Sequence, residues 1–232
     1  LVLTLDLQVI GQRHKDLKNG LSAPPRPTMR NILNLATKPR WCWGMLNTRR
    51  HTFRNLVGHV KGVSDMKSLA AWTNEQFDPR LSWPDVDWVR QQWGGKLILK
   101  GIMEVEDAQL AVQHGADAIV VSNHGGRQLD GAPSSIEALP AIVQAVGDQT
   151  EVWMDSGIRS GQDVLKAWAL GARGTMVGRA MAYGLGAMGE AGVSKALQIL
   201  HKELDVTMAF CGHTQLRSVN RSILVPGTYP VA

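Results

Sequence analysis

The chain has 232 residues, 44% of them hydrophobic and 19% charged, with 25 Lys/Arg against 20 Asp/Glu. That length and apolar content suit one large domain or two small ones, and exclude a disordered, collagen-like or low-complexity chain. The net charge of +5 is uneven, because residues 11–61 hold 11 Lys/Arg and a single acid, Asp16, while the remainder is −5. A basic stretch on a mildly acidic body is not the pattern of a uniformly basic nucleic-acid binder, and no nucleic-acid partner is expected. Two cysteines, Cys42 and Cys211, give no disulfide framework and lack metal-ligand spacing, so no metal site is expected and a reducing, cytoplasmic compartment fits. No apolar run approaches the roughly 18 residues needed to span a bilayer.

Leu1–Asp6 has neither an initiator Met nor the basic region of a signal peptide, and reads like a strand entered halfway. Residues 11–94 then form a long basic, Trp-rich insertion. Within it Pro24, Pro25 and Pro27 break the chain, and Met29–Ala36 suits a short helix. Trp41-Cys-Trp43-Gly-Met45-Leu46 is an apolar knot flanked by Lys38, Arg40, Arg49 and Arg50. Six of the eight tryptophans fall between Trp41 and Trp93, which predicts packing of its own for this region. Pro84–Trp93 reads as a helix leading into the next strand.

From there the chain is rhythmic. Strands are expected at Lys96–Lys100, Ala118–Ser122, Glu151–Asp155 and Gly174–Gly178. Helices are expected at Glu104–His114, Ser135–Val146, about Gln162–Leu170, after Gly178, and from Gly189 through Leu204. A short element near Gln215–Val219 and a tail to Ala232 follow. Short apolar strands alternating with helices predict parallel β/α units. An open doubly wound sheet and a (β/α)8 TIM barrel both accept that rhythm. The polar residues sit after every strand, as barrel enzymes keep them, whereas an open sheet concentrates them at one switch point. The barrel is therefore the expected fold. A barrel has eight strands and five are visible, so either three lie upstream of Leu1, which would make these strands 4–8 with the long insertion after strand 4, or this is an unusual half-barrel.

The densest cluster is Ser122-Asn-His-Gly-Gly-Arg-Gln-Leu-Asp130. A His and an Arg three apart in a glycine-rich loop can face one ligand, His124 moving a proton and Arg127 clamping a carboxylate. The plain alternative, a His that only hydrogen-bonds its loop, is weakened by Asn123, Arg127 and two glycines alongside. Asp155-Ser-Gly-Ile-Arg159 and Gly178-Arg179 form a second constellation, each with a glycine and an arginine at a helix start. That is phosphate-binding logic, weighed against two ordinary βα turns with solvated arginines. Lys100 ends an apolar strand and can form a Schiff base, supply charge, or merely pair with an acid. Asp6 can orient a histidine or cap a loop.

These residues carry a resemblance. The chain resembles the C-terminal two-thirds of the FMN-dependent α-hydroxy-acid oxidase and dehydrogenase family, which includes L-lactate dehydrogenase, glycolate oxidase and mandelate dehydrogenase. The likeness runs from Leu3-Thr-Leu-Asp6, Arg13 and Asp16–Asn19 through Leu99-Lys-Gly101, Ser122–Asp130 and Asp155–Arg159 to Gly178-Arg179. It implies FMN as cofactor and oxidation of an L-2-hydroxy acid, L-lactate above all, to the 2-oxo acid. His124 would be the active-site base, with Asp6 stabilising its protonated form. Arg127 would hold the substrate carboxylate, with Arg13 as a second cation. Lys100 would sit by the flavin N1–C2 carbonyl, and Thr4 and Ser122 would hydrogen-bond the isoalloxazine. Asp155, Ser156, Gly157 and Arg159 would bind the ribityl and phosphate region, with Gly178 and Arg179 closing around the phosphate.

The family usually has Asp-Gly-Gly where this chain has Asp155-Ser156-Gly157, and a serine there restricts the backbone if the position needs a positive φ. The resemblance also implies a quinone, cytochrome or oxygen as electron acceptor, a homotetramer when complete, and an incomplete catalyst in this stretch alone. In membrane-bound members the insertion carries the attachment, so residues 11–61 are expected to reach an anionic membrane, peripherally on the inner face of the cell membrane. The competing expectations are another FMN- or phosphate-binding barrel enzyme, and an inactive half-barrel with a membrane-binding loop.

Overall fold

The computed structural model describes residues 1–9, 11, 14–20, 28–48, 59–60, 68, 72 and 78–230. Arg13 lies outside the described residues. The chain divides into two compact units, one of Leu1–Leu7 with Leu81–Ala232 and one of Gln8–Arg80. The expected insertion, 11–94, is thereby split, since residues 81–94 belong with the sheet.

The first unit is built on five parallel strands in the order β1-β2-β3-β4-β5. They are β1 (Val2–Thr4), β2 (Ile98–Ile102), β3 (Ala118–Val121), β4 (Glu151–Met154) and β5 (Gly174–Thr175). Each strand lies beside its predecessor in sequence, so no switch point interrupts the order. Leu3, Leu99, Ile119 and Val152 share a register row. All four join the main core with Val86, Ala108, Ala111, Leu139, Ile142, Val146 and Ala167 of the intervening helices. The helices thus bury against one face of the sheet. The other face is mixed: Ala118 and Val120 are buried, but Val2 is 46% exposed, Glu151 is exposed and Trp153 is half-buried. Among the described residues, the buried helix side chains of the main core all pack on that one face.

The helices start where local chemistry lets them. Helix α4 (Trp83–Trp93) opens with a capping box between Ser82 and Asp85 and Pro84 in its first turn, and closes on Gly94 in a left-handed conformation. Helix α5 (Val105–Gln113) carries Glu106 and Asp107 in its first turn. Capping boxes also open α6 (Ser135–Val146), from Ser134 and Glu137, and α7 (Gly161–Ala169), from Ser160 and Asp163. Helix α8 (Arg179–Met188) starts at Gly178. Helix α9 (Glu190–Phe210) runs six residues beyond the expected end at Leu204, because nothing breaks it before Gly212 at φ +75°. The fourth expected core strand shrinks to Gly174–Thr175, although Met176 N–H still donates to Met154 O at 3.0 Å.

Asp117 anchors the start of β2 and β3. It accepts from Lys96 Nζ and Arg90 Nη1 at 2.7 Å each, and from Leu97 N–H at 2.9 Å. Lys96, then the Leu97 amide and Arg90, hold its carboxyl well below the usual carboxylate range. A depressed native pKa contributes stability above the unfolded value of about 4 that is lost as pH falls below it. Asp117→Asn is expected to cost about 1–2 kcal/mol at pH 7, with the gap to wild type closing in denaturation curves taken progressively below pH ~4.

In the second unit the described helices are α1 (His14–Lys18), α2 (Met29–Ala36) and α3 (Pro39–Asn47). Thr28 caps α2, its side chain accepting from Asn31 N–H at 3.3 Å. The Trp41–Leu46 knot is helical, entered through Pro39 in the first turn. The expected packing is not seen at its tryptophans: neither α2 nor α3 has a buried residue, and Trp43 is 70% exposed.

Candidate functional site

The C-terminal ends of the strands converge on a cleft of about 310 Å³. Lys100, His124, Arg127, Asp155, Ser156, Gly157, Arg159, Gly178 and Arg179 all line it, nine of the thirteen sequence-derived site residues. Asp6 and Ser122 lie directly behind, bonded to lining residues, and Thr4 is the register partner of Lys100 on β1.

His124 follows β3 in a 3-10 turn, His124–Gly126, at φ +56°. A left-handed non-glycine residue costs roughly 1–2 kcal/mol. Three successive amides repay it: His124 N–H donates to Ser122 Oγ (3.1 Å), Gly125 N–H to Ser156 Oγ (2.9 Å) and Gly126 N–H to Asn123 Oδ1 (3.2 Å). His124 Nδ1 lies 3.0 Å from Asp6 Oδ1, and both side chains are largely buried. With Nδ1 held by a carboxylate, Nε2 is the nitrogen left to exchange a proton with a ligand. Asp6 is therefore an orienting carboxylate rather than a loop cap.

Lys100 Nζ donates to Ser122 Oγ at 2.9 Å, and lies 3.2 Å from Asp155 Oδ2 and 3.8 Å from Asp6 Oδ2. The acid-paired lysine weighed from the sequence is thus what the structure holds, at the cleft wall. Asp6 Oδ2 is buried without a hydrogen-bond partner, so the long approach of Lys100 is what compensates its charge. Glycine is required beside it. A Cβ on Gly101, at φ +107°, would stand 2.9 Å from Asp6 Cβ. The register shift between Lys100 and Ile102 sits at the same point.

On the far wall, Ser156 does need a positive φ, +69°, so the departure from Asp-Gly-Gly is accommodated with strain. Gly157 and Gly178 have open space where a Cβ would stand. Arg159 and Arg179 line the same wall, and Arg179 begins α8. Backbone open to approach, two guanidiniums and the N-terminus of the ten-residue α8 make an anion cradle. The donor set and this cradle fit a phosphate-bearing cofactor.

Some contributors escaped the sequence. Ser135, 1% exposed, donates from Oγ to Asp155 O at 2.6 Å and Ser156 O at 3.0 Å, holding that turn on α6. A second serine directly after the Ser134 cap was its only signal. Met176 and Val177, read as strand residues, line the cleft instead.

A parallel β/α sheet that gathers base, carboxylates and cations at its strand ends is the arrangement of the α/β enzymes. The sequence matches the FMN-dependent dehydrogenase family over residues 1–226, and the chain belongs to that family. It is 45% identical over 225 residues to an L-lactate dehydrogenase of Caulobacter sp. (strain K31), covering 97% of this chain and 59% of that protein. An L-lactate dehydrogenase of Pseudomonas syringae pv. syringae (strain B728a) is likewise 45% identical, over 226 residues and 59% of its length. Among solved structures, the monotopic membrane protein (S)-mandelate dehydrogenase superposes with TM-score 0.86 at 37% identity, covering 96% of this chain and 59% of that one. Mandelate oxidase with (S)-2-phenylpropionate gives TM-score 0.69 at 37% identity, over 95% and 53%. The chain spans about three-fifths of the length of the curated relatives it matches.

Proposed function

We propose that this chain carries the cofactor-binding and proton-transfer part of an FMN-dependent L-2-hydroxy-acid dehydrogenase whose substrate is L-lactate. The observation that carries the reading is the Asp6–His124 pair at 3.0 Å, opening into the same cleft as Arg159 and Arg179. The lactate preference is supported by relatives named for it, at 45% identity. The fold reading is finer than the five-strand sheet: residues 1–232 form the C-terminal part of one FMN-binding TIM barrel, strands 4–8. Sequential parallel order with helices on one face supports it.

FMN bound here supplies a two-electron acceptor for the substrate carbon. His124 Nε2 takes the proton of the 2-hydroxyl, and Asp6 stabilises the imidazolium so formed. Arg127 binds the substrate carboxylate, with Arg13 as a second cation. Lys100, Ser122 and Thr4 face the isoalloxazine, where the ammonium offsets negative charge. Asp155, Ser156, Gly157 and Arg159 take the ribityl and phosphate region, and Gly178 and Arg179 close on the phosphate.

The visible spectrum of the full-length protein, before and after anaerobic L-lactate, tests this. Flavin bands that bleach are expected. Bands indifferent to L-lactate but bleached by another 2-hydroxy acid would overturn the substrate, and a colourless protein would overturn the cofactor.

The basic unit is proposed to rest on the anionic inner face of the cell membrane, the electron acceptor of the enzyme being a quinone, a cytochrome or oxygen. Exposed Met29, Leu33, Trp41, Trp43 and Leu46 beside Arg30, Lys38 and Arg40 support peripheral contact. Among the described residues no helix is long and apolar enough to cross a membrane. Each basic residue near such a surface is worth about 1 kcal/mol. Co-flotation with phosphatidylserine vesicles is expected at low salt and should fall steeply with added salt. Equal binding to neutral vesicles would overturn the electrostatic part. A homotetramer is proposed on the family resemblance.

A further inference from the structure

His124 and Ser156 are the two non-glycine residues at positive φ among the described residues, and they are joined. The amide that follows His124, on Gly125, donates to Ser156 Oγ at 2.9 Å. The same hydroxyl donates to Asp155 Oδ1 at 2.8 Å. Asp155 Oδ2 is 3.2 Å from Lys100 Nζ, Lys100 approaches Asp6 at 3.8 Å, and Asp6 returns to His124 at 3.0 Å. The contacts form a closed ring around the cleft. The remaining links are charge-assisted contacts, Asp155 after β4 to Lys100 on β2, Lys100 to Asp6 after β1, and Asp6 to His124 after β3. Ser156 directly ties the β4 turn to the histidine turn.

The chemistry of that link is restrictive. Gly125 N–H can only donate and the Asp155 carboxylate can only accept, so the group between them must accept from one and donate to the other. A hydroxyl does both. Alanine and glycine do neither, and would leave an amide and a carboxylate oxygen without this partner.

We infer that Ser156 is a positioning residue, whose hydroxyl fixes the His124 turn relative to the Asp155–Lys100 pair. The base and the cation across the cleft are thereby held at one separation. This rests on the proposed roles of His124 and Lys100, but the geometric claim concerns the turn itself and can be read without turnover.

The test separates hydroxyl from backbone. S156G removes the hydroxyl and relieves the positive φ, whereas S156A removes the hydroxyl and keeps the strain. In the FMN-loaded full-length protein, both variants are expected to reduce flavin with L-lactate about tenfold more slowly, as loss of one positioning hydrogen bond implies. KM should move less than twofold. Stability should split the other way, S156G melting above wild type and S156A below it. Amide hydrogen exchange over Asn123–Arg127 should quicken about tenfold in both. A wild-type reduction rate in S156G would overturn the proposal, because the serine would then be a strained bystander. Should the wild-type flavin ignore every 2-hydroxy acid, the functional reading fails on its own. Exchange then decides: quickened exchange upholds the latch and unchanged exchange overturns it.

Discussion

His124→Asn is expected to lower flavin reduction by L-lactate about 10³-fold, within the range that general acid–base groups supply, while the protein keeps its yellow colour. The replacement is chosen for the backbone as much as for the ring. Asparagine tolerates the left-handed conformation that His124 adopts at φ +56°. Its amide can also donate to Asp6 Oδ1, which now faces His124 Nδ1 at 3.0 Å. What it lacks is the second nitrogen, the one left free to take a proton. The amides of residues 124, 125 and 126 still reach Ser122, Ser156 and Asn123, so the turn should persist. The cleft wall carrying Arg159 and Arg179 is untouched. Stopped-flow absorbance of the bound flavin reads the rate, and the flavin-to-protein ratio reads cofactor retention. A rate within tenfold of wild type would remove His124 from the role of base, and colour lost with activity would make it a structural residue.

The β/α rhythm was legible because each strand is a short apolar run and each helix begins at a recognisable cap. Ser134 with Glu137 and Ser160 with Asp163 are capping boxes in sequence and in space. The boundaries that moved lacked such punctuation. Nothing between Leu204 and Gly212 stops α9, and Met176 and Val177 look like strand but turn into the cleft. The helix at Pro39–Asn47 was hidden because Lys38 gives it no side-chain cap and none of its residues is buried. The site residues were legible as types at strand ends. Their partnerships were not, since Ser156 meets Gly125 across 31 positions and His124 meets Asp6 across 118. The parallel order of the five strands was legible as a rhythm, but which face of the sheet the helices cover was not. No periodicity along the chain carries that information.

The same glycine-to-alanine change is expected to have opposite signs at two helix positions, and the larger effect is at Gly161. That residue begins α7 and packs against the backbone of α9. A Cβ there would stand 2.5 Å from Leu200 O and 2.6 Å from the Glu203 carbonyl carbon, and would overlap Leu204 N. These are helix backbone atoms, which cannot rotate away as a side-chain tip would. Gly161 N–H also donates to Glu203 Oε2 at 2.9 Å, so separating the helices loses a buried bond as well. Overpacking typically costs about 1–3 kcal/mol, and with rigid neighbours the upper end is expected, a fall in Tm of roughly 10 °C for a chain of this size. Gly186, inside α8 with nothing within 4 Å of a Cβ, should instead gain about 0.5–1 kcal/mol as alanine. The loss at Gly161 should reach the cleft. Arg159 and Ser160 N–H both donate to Asp163 Oδ2 at 3.0 Å, so the Arg159 turn moves with the start of α7. Gly161→Ala should therefore also weaken FMN retention, measured by cofactor release on dilution, while Gly186→Ala retains it. Equal Tm for Gly161→Ala and wild type would mean that α9 shifts aside at no cost, and that this helix contact does not hold the Arg159 turn in place.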